Sequence, residues 1–329
     1  MFSTRAKEYV ETLYASRSHV ELTVGVLKDG LTQVKHFGPD GKEQEKKLIY
    51  PVGSIGKTIT AALLAKRVEE GRIDLHKSLR DYIPELPKGY YPNLLKLATH
   101  HSGYFIQPLS FTEILKSQIR QHKEDGMFRK NPYHGHTMDK EFIPLLTQTK
   151  LKDKPYKYRY SNFGFAVLAY ILGRIEGSDY YSVIEPYIRK EFGLSDTGYN
   201  EAELTGYDKK DRPCRPWQWD KNDIITPAGG IYASIEDLLA YAQKHLDGTL
   251  PYLAQCHKRW APGQKDFSQG LAWHLKNGSE ISYHEGLAGT FSSVLAIDRK
   301  KNCAVAAALN YGMVFLEKLA FIMIEDMHL

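Results

Sequence analysis

The strongest constraint on the fold is an apolar run that begins with a serine and a lysine three residues apart. The segment G-S-I-G-K at residues 53–57 leads into I-T-A-A-L-L-A at residues 59–65. This run predicts a buried helix ended by Gly71, because a glycine just past the last turn is typical of a helix C-terminus. Side chains three residues apart share a helix face, so Ser54 and Lys57 are expected side by side.

A hydroxyl next to an amine can act as a nucleophile with its base. The N-terminus of the helix adds partial positive charge where an oxyanion would form. Apolar neighbours should disfavour the ammonium and leave Lys57 ready to accept a proton. The alternative interpretation is an N-cap serine followed by a surface lysine, which is the usual meaning of an isolated S-x-x-K. The chain has one S-x-x-K, so other motifs must decide.

A second motif, Y-S-N at residues 160–162, precedes another apolar run at residues 163–173. The pattern predicts that Tyr160 and Asn162 project from the start of a buried helix. Another Y-x-N, at residues 91–93, lies in a proline-rich stretch. We interpret it as a turn with no helix after it.

A third motif, H-E-G at residues 284–286, lies in a segment that predicts a strand, followed by a second strand at residues 290–298. The H-x-G pattern also occurs at residues 36–38 and 101–103. The tripeptide alone is therefore uninformative. What matters is that this H-x-G follows the S-x-x-K and Y-x-N motifs along the chain and lies in a predicted strand.

In this order the motifs resemble those of the serine β-lactamase and penicillin-binding-protein superfamily. The resemblance is greatest to its class C-like branch, which includes family VIII esterases, D-aminopeptidases and D-alanyl-D-alanine carboxypeptidase-like serine hydrolases. Three further segments are similar to family sequences: L-A-T-H-H-S-G at 97–103, E-F-G-L-S-D-T-G at 191–198 and P-A-G-G-I-Y-A-S-I-E-D-L at 227–238. The resemblance covers roughly residues 20 to 311.

The resemblance implies a catalytic role for three side chains. Ser54 would attack a carbonyl, Lys57 would help to remove its proton, and Tyr160 would complete the proton relay. Asn162 would hold an amide or carbonyl oxygen of the substrate. The oxyanion hole would consist of the backbone N–H groups of Ser54 and Leu287, and water would release the acyl group from Ser54.

The resemblance also implies that His284, Glu285 and Gly286 bind substrate. His284 replaces the lysine of most true β-lactamases, and the charge of an imidazole depends on pH near neutrality. Glu285 stands where many relatives have a small or hydroxyl residue that helps to hold a carboxylate. If it faces the site it would repel a carboxylate and attract an amine, but strand alternation equally allows it to point away.

The predicted fold class is α+β, β-lactamase/transpeptidase-like, with an antiparallel sheet flanked by helices and an inserted, mainly helical domain. Both ends of the chain contribute to the sheet. The predicted elements are a helix at 4–16, strands at 21–27, 31–37, 269–275, 280–286, 291–298 and 303–310, and a helix at 314–327. We expect residues 1–75 with 225–329 to form the sheet domain, residues 76–224 the helical domain, and the active site to lie between them.

The net charge of +5 is mildly basic, but acids interleave with the lysine clusters. No nucleic-acid-binding signature accompanies them, so we expect a small-molecule or short-peptide substrate and no nucleic acid. The three cysteines are far apart and odd in number, and no acidic or thiolate set joins the histidines at 100–101 and 134–136. The sequence therefore predicts no metal and no cofactor, and turn packing accounts for His100.

Several aromatic residues are candidates for the wall of an acyl pocket, although core and loop packing accounts for most of them. They lie mainly in loops at about 104–135 and 212–222. The candidates are Tyr104, Phe105, Tyr133, Tyr156, Tyr158, Trp217 and Trp219.

No apolar stretch approaches the 18 residues that a membrane span needs, and charged residues stand where a signal peptide needs an apolar core. The expected location is the cytoplasm, which favours small esters, amides or D-residue-containing peptides. The first hypothesis is a serine hydrolase with an acyl-Ser54 intermediate. The alternatives are a penicillin-binding protein, weak β-lactamase or D,D-carboxypeptidase, an acyltransferase, and a catalytically silent binding protein on the same fold.

Overall fold

The computed structural model describes residues 2–105, 131–199 and 203–327. The described strands are β1 (Leu22–Lys28), β2 (Leu31–Phe37), β3 (Glu43–Gln44), β4 (Ile49–Pro51), β5 (Gly206–Tyr207), β6 (Pro213–Cys214), β7 (Tyr232–Ser234), β8 (Ala261–Pro262), β9 (Phe267–Gln269), β10 (His274–Lys276), β11 (Ile281–Ala288), β12 (Phe291–Asp298) and β13 (Cys303–Leu309). Nine of these strands form one antiparallel sheet, the main feature of the fold, in the order β3-β2-β1-β13-β12-β11-β10-β9-β8.

Helices flank this sheet. The described α-helices are α1 (Thr4–Tyr14), α2 (Gly56–Glu69), α3 (Leu79–Tyr82), α4 (Leu94–Ala98), α5 (Met138–Gln148), α6 (Asn162–Arg174), α7 (Tyr180–Tyr187), α8 (Thr226–Gly229), α9 (Ile235–Leu246) and α10 (Glu317–Asp326). Shorter helical segments are the 3-10 turns Gly53–Ile55 and Pro251–His257 and the π-helix Ile188–Phe192.

The two ends of the chain meet in the centre of the sheet, as the sequence predicts. Strand β1 pairs with β13 from Leu22 opposite Leu309 to Lys28 opposite Cys303. This pairing confirms that segments almost three hundred residues apart in sequence share one antiparallel sheet. The predicted division into domains at residues 76–224 stays a prediction.

Alternation along β13 divides the core into two layers. Val305 and Leu309 pack in one cluster with residues of α1 and α10, whereas Ala304 and Ala306 pack in a second cluster with residues of α2 and α9. Successive side chains of a strand point to opposite faces, so small alanines lie on the face where helices approach closely. The sheet is therefore covered by helices on both faces.

Two predicted boundaries were wrong. The strand expected at 269–275 is two short strands, β9 and β10, because the chain reverses between them. Ala272 has a left-handed φ of 65°, and the Gly270 N–H donates to the Trp273 carbonyl at 2.8 Å. A tight reversal of this kind cannot continue a strand. The last helix starts at Glu317, three residues later than the predicted position 314.

The interpretation of residues 91–93 as a turn with no helix after it was also wrong. Asn93 is the N-cap of α4, and its side chain accepts a hydrogen bond from the Lys96 N–H at 2.9 Å. Asparagine is a strong N-cap residue, because its side-chain oxygen satisfies an N–H that the helix leaves unpaired. The short helix was missed because only five residues follow the cap.

Candidate active site

Ser54 and Lys57 are adjacent, as their spacing predicts. Ser54 lies in the 3-10 turn Gly53–Ile55, which continues directly into α2. The Ser54 Oγ and Lys57 Nζ atoms are hydrogen-bonded at 2.8 Å. Ser54 is partly exposed, whereas Lys57 is fully buried. A ligand can therefore reach the hydroxyl while the amine stays out of water.

The environment of Lys57 favours a neutral amine. Its Nζ donates to the backbone carbonyl of Ala228 in α8 and lies 5.0 Å from the centre of the Tyr160 ring. Among the described residues, no carboxylate contributes to the pKa of Lys57. Burial without a counter-charge lowers the pKa of Lys57 well below its ordinary value. The amine can therefore accept the proton of Ser54.

Tyr160 precedes α6, as the second motif predicts. Ser161 is the N-cap of this helix and accepts a hydrogen bond from the Gly164 N–H at 2.9 Å. Burial raises the pKa of Tyr160, and a hydrogen bond with the Ser54 side chain opposes the rise only partly. The phenol is therefore neutral, so Lys57 is a better candidate base than a tyrosinate. Asn162, at the first position of the helix, is partly exposed.

His100 holds the segment around Tyr160, a role that the sequence interpretation missed. Its Nδ1 accepts the Ser161 N–H at 3.1 Å, and its carbonyl accepts the Arg159 N–H at 2.9 Å. Its ring packs 4.4 Å from the Tyr160 ring, centre to centre. A buried histidine thus contacts the residues on both sides of Tyr160 and Tyr160 itself. The only signal in the sequence was the T-H-x-S-G segment.

The H-x-G motif lies on β11, as predicted, but the expected pH-dependent charge of His284 was wrong. His284 is buried, and its Nδ1 donates to the Glu285 carbonyl at 2.6 Å. Burial, then the neighbouring His274 and Lys57, hold the pKa of His284 well below its ordinary value. The imidazole is therefore neutral at physiological pH, with Nε2 as an acceptor.

Glu285 faces a cavity rather than the sheet interior. The cavity has a volume of about 460 Å³, and its lining includes both Glu285 and Tyr160. Burial, and then repulsion from Glu317 on α10, raise the pKa of Glu285 to about 7. The carboxyl group of Glu285 therefore faces a space that Tyr160 also borders.

Gly286 allows β11 to approach the turn that carries Ser54. A Cβ at position 286 would collide with the Val52 carbonyl and with the Ser293 hydroxyl, which itself donates to that carbonyl at 3.1 Å. A Cβ on Gly53 would lie 2.9 Å from the backbone nitrogen of Leu287. The Leu287 nitrogen is therefore beside the residue that precedes Ser54.

Strand β10 leaves part of β11 uncovered. It pairs with β11 only at Ser282 and Tyr283, so residues 284–288 of β11 have no partner in β10. The uncovered segment contains the H-x-G motif and Leu287. An extended substrate segment could add to this edge by backbone hydrogen bonds.

The aromatic candidates occupy different environments. Tyr104 and Tyr133 are buried, Tyr158 lines the cavity beside Glu285, and Trp217 packs against Gly289 just beyond β11. Much of the loop predicted at 104–135 falls on residues 106–130, which lie outside the described residues.

No group of three or more histidine, cysteine, aspartate or glutamate side chains in the described ranges is arranged to hold a metal ion. Within the same ranges, no helix is both long and apolar enough to cross a bilayer.

Comparisons of the whole chain with known proteins identify its family. The sequence model of the Beta-lactamase family matches residues 6–314. The chain therefore belongs to the β-lactamase family, as the motifs indicated.

Curated relatives match with low identity. The chain is 24% identical over 238 residues to PbpX of Bacillus subtilis (strain 168), covering 69% of this chain and 54% of that protein. It is 24% identical over 249 residues to a β-lactamase of Pseudomonas fluorescens, covering 72% of this chain and 63% of that protein. The chain thus spans between about half and two thirds of the length of these relatives.

Solved structures match over almost the whole chain and confirm the predicted fold class. A class C β-lactamase from Rhodobacter sphaeroides has a TM-score of 0.79 at 18% identity, covering 99% of this chain and 100% of that one. An octameric penicillin-binding protein homologue from Pyrococcus abyssi has a TM-score of 0.81 at 19% identity, covering 100% of this chain and 78% of that one. The β-lactamase/transpeptidase-like α+β architecture is therefore shown.

We predict that Gly286→Ala lowers stability by about 1–3 kcal/mol, the usual cost of overpacking, and reduces acylation of Ser54. The added methyl group would push β11 away from Val52. Gly89→Ala is the control, because a Cβ there meets only one atom, at 4.0 Å. Thermal unfolding and labelling rates of both variants test this. Native stability and labelling of Gly286→Ala would contradict the packing argument.

We also predict that the rate of Ser54 acylation falls as pH falls through a midpoint well below 10.5, because protonated Lys57 cannot act as a base. The raised pKa of Tyr160 predicts no separate inflection near its ordinary value of 10. Labelling rates with a fluorophosphonate between pH 5 and 10 measure the profile. Tyr160→Phe should slow labelling about 10²–10⁴-fold with the same midpoint. A midpoint near 10 in the native protein would exclude the neutral-lysine mechanism.

Proposed function

We propose that this chain is a serine hydrolase that acts through an acyl-Ser54 intermediate on a small ester, amide or D-residue-containing peptide. The observation that carries the proposal is the 2.8 Å contact between a reachable Ser54 hydroxyl and a fully buried Lys57 amine. Membership of the β-lactamase family supports hydrolysis as the reaction class.

In the first step the Ser54 oxygen forms a bond to the substrate carbonyl carbon, and its proton passes to Lys57. The backbone N–H groups of Ser54 and Leu287 would stabilise the oxyanion, to which one such donor contributes about 3–4 kcal/mol in the best-studied case. Tyr160, a neutral phenol, would pass its proton to the leaving group as the bond to the carbonyl carbon breaks, and would take in exchange the proton that Lys57 received from Ser54. Asn162 would hold a substrate amide or carbonyl oxygen.

In the second step water attacks the acyl carbon, and the proton relay of Lys57 and Tyr160 runs in reverse to restore the Ser54 hydroxyl. Replacement of water by an alcohol or amine would make the same enzyme an acyltransferase. In our proposal the site lies between a sheet domain, residues 1–75 with 225–329, and a helical domain, residues 76–224.

The second candidate function is penicillin recognition, as in a penicillin-binding protein, a weak β-lactamase or a D,D-carboxypeptidase. The family and the folds of the neighbours favour it. His284 and Glu285 argue against efficiency, because a neutral imidazole and a carboxyl group replace groups suited to a substrate carboxylate. We therefore rank it below hydrolysis of esters and amides.

The proposal predicts that a fluorophosphonate adds one covalent group per chain and that Ser54→Ala abolishes the adduct. A parallel incubation with a penicillin ranks the two candidate functions by relative labelling and by the rate at which the adduct is lost. Intact-mass spectrometry measures both. Ser195→Ala, which changes an exposed serine, is the matched control and should label like the native chain.

Two outcomes would contradict the proposal. Labelling that persists in Ser54→Ala would place the nucleophile elsewhere. A folded native protein that reacts with neither probe, and hydrolyses no ester, would favour a silent binding protein on the same fold.

A further inference from the structure

The cavity beside Glu285 is next to the proposed nucleophile but is not used by the chemistry described above. Tyr160 lines it, and the Tyr160 ring centre lies 5.0 Å from the Nζ atom of Lys57, the hydrogen-bond partner of Ser54. Its volume of about 460 Å³ is sufficient for a substituent of a substrate whose carbonyl lies at Ser54. The groups that line the cavity therefore determine which substituents are accepted.

Aromatic rings form walls on several sides of this cavity. Phe267 is nearly perpendicular to Tyr158, at 5.5 Å and 81°, and to Tyr283, at 6.4 Å and 86°. Tyr160 adds a fourth ring to the lining. Rings in such crossed orientations present π faces from different directions. A cation placed over the face of such a ring would be attracted to it, because the ring face carries negative charge.

Glu285 supplies the only carboxyl group in the described lining of this cavity. It is partly buried, and within the described parts of the chain no cation contributes to its pKa. The other acidic group close to it, Glu317, repels it. The nearby His274 is neutral, since burial lowers its pKa to about 4. Arg159 also lines the cavity, but its side chain is exposed to solvent, which screens its charge.

From these walls and this carboxyl group we infer that the cavity is a subsite for an organic cation, so that preferred substrates carry a substituted ammonium group near the acyl carbonyl. The inference rests on the proposed function, because it names the substrate class of the same site. Above its pKa of about 7 Glu285 is a carboxylate, and in that form it would disfavour a substrate that carries a carboxylate. An uncharged substituent would be accepted by the rings but would leave the carboxyl group without a partner.

The test compares two p-nitrophenyl esters of the same shape. One carries 4-(trimethylammonio)butanoate, and the other carries 5,5-dimethylhexanoate, in which carbon replaces the charged nitrogen. We expect the native protein to favour the cationic ester by about tenfold in kcat/KM, after correction for spontaneous hydrolysis. Glu285→Gln should reduce this ratio to about one, and Phe267→Leu should reduce it severalfold.

Arg159→Gln is the matched control, because it removes a positive charge from the same lining and should preserve or increase the ratio. Each variant is judged by its ratio, so a general loss of activity does not imitate the expected result. Equal rates with both esters in the native protein, or an unchanged ratio in Glu285→Gln, would overturn the inference while the proposed hydrolase stands.

A binding measurement separates this inference from failure of the proposed function. Saturation-transfer NMR on Ser54→Ala protein would compare tetramethylammonium with tert-butanol as probes of the cavity. We expect transfer to the cation that is stronger than transfer to the alcohol and that is lost when Glu285→Gln is added. Equal signals from the two probes would reject a cation subsite even if the native protein hydrolyses esters.

Discussion

The site depends on one lysine side chain that the fold removes from water. Lys57 is fully buried, with the Ser54 hydroxyl and the Ala228 carbonyl as its hydrogen-bond partners. A charged amine in such a place is costly, so the folded state favours the neutral form and provides a base beside Ser54. Elements distant in sequence must close around it: α2 carries the lysine, α8 supplies the carbonyl, and Tyr160 covers it from the start of α6.

The sheet places strand β11, which carries the H-x-G motif, beside the turn with Ser54 and Lys57. Gly286 lets β11 lie against Val52. Gly53 lets the backbone of Leu287, the next residue of β11, lie close to the turn that carries Ser54. The short pairing between β10 and β11 leaves this part of the strand available on its other side. The two glycines thus determine how closely β11 approaches the Ser54 turn. The neighbouring Glu285 and His284 give the site its chemical character. A neutral imidazole and a partly buried carboxyl group make this site different from one built for a substrate carboxylate.

The sequence predicted those features that depend on local spacing. Ser54 and Lys57 are one helical turn apart, and the paired alternating strands near both ends of the chain indicated the sheet. The hydrogen bonds of His100 to residues 159–161, by contrast, join segments about 60 residues apart, which no local pattern shows. The Ala228 contact is made by a backbone carbonyl and has no side-chain signal. The neutral state of His284 depends on burial beside His274, so its charge could not be predicted from residue type alone.

The most direct test of this account is the protonation state of Lys57 itself. In protein labelled with carbon-13 at the lysine Cε, an NMR titration follows each amine, and Lys57→Met identifies the resonance. The account predicts that Lys57 is largely neutral in the folded protein well below pH 10.5, the ordinary pKa of a lysine. A Lys57 amine that stays protonated up to about pH 10.5 would contradict the account, because a protonated amine cannot accept the Ser54 proton.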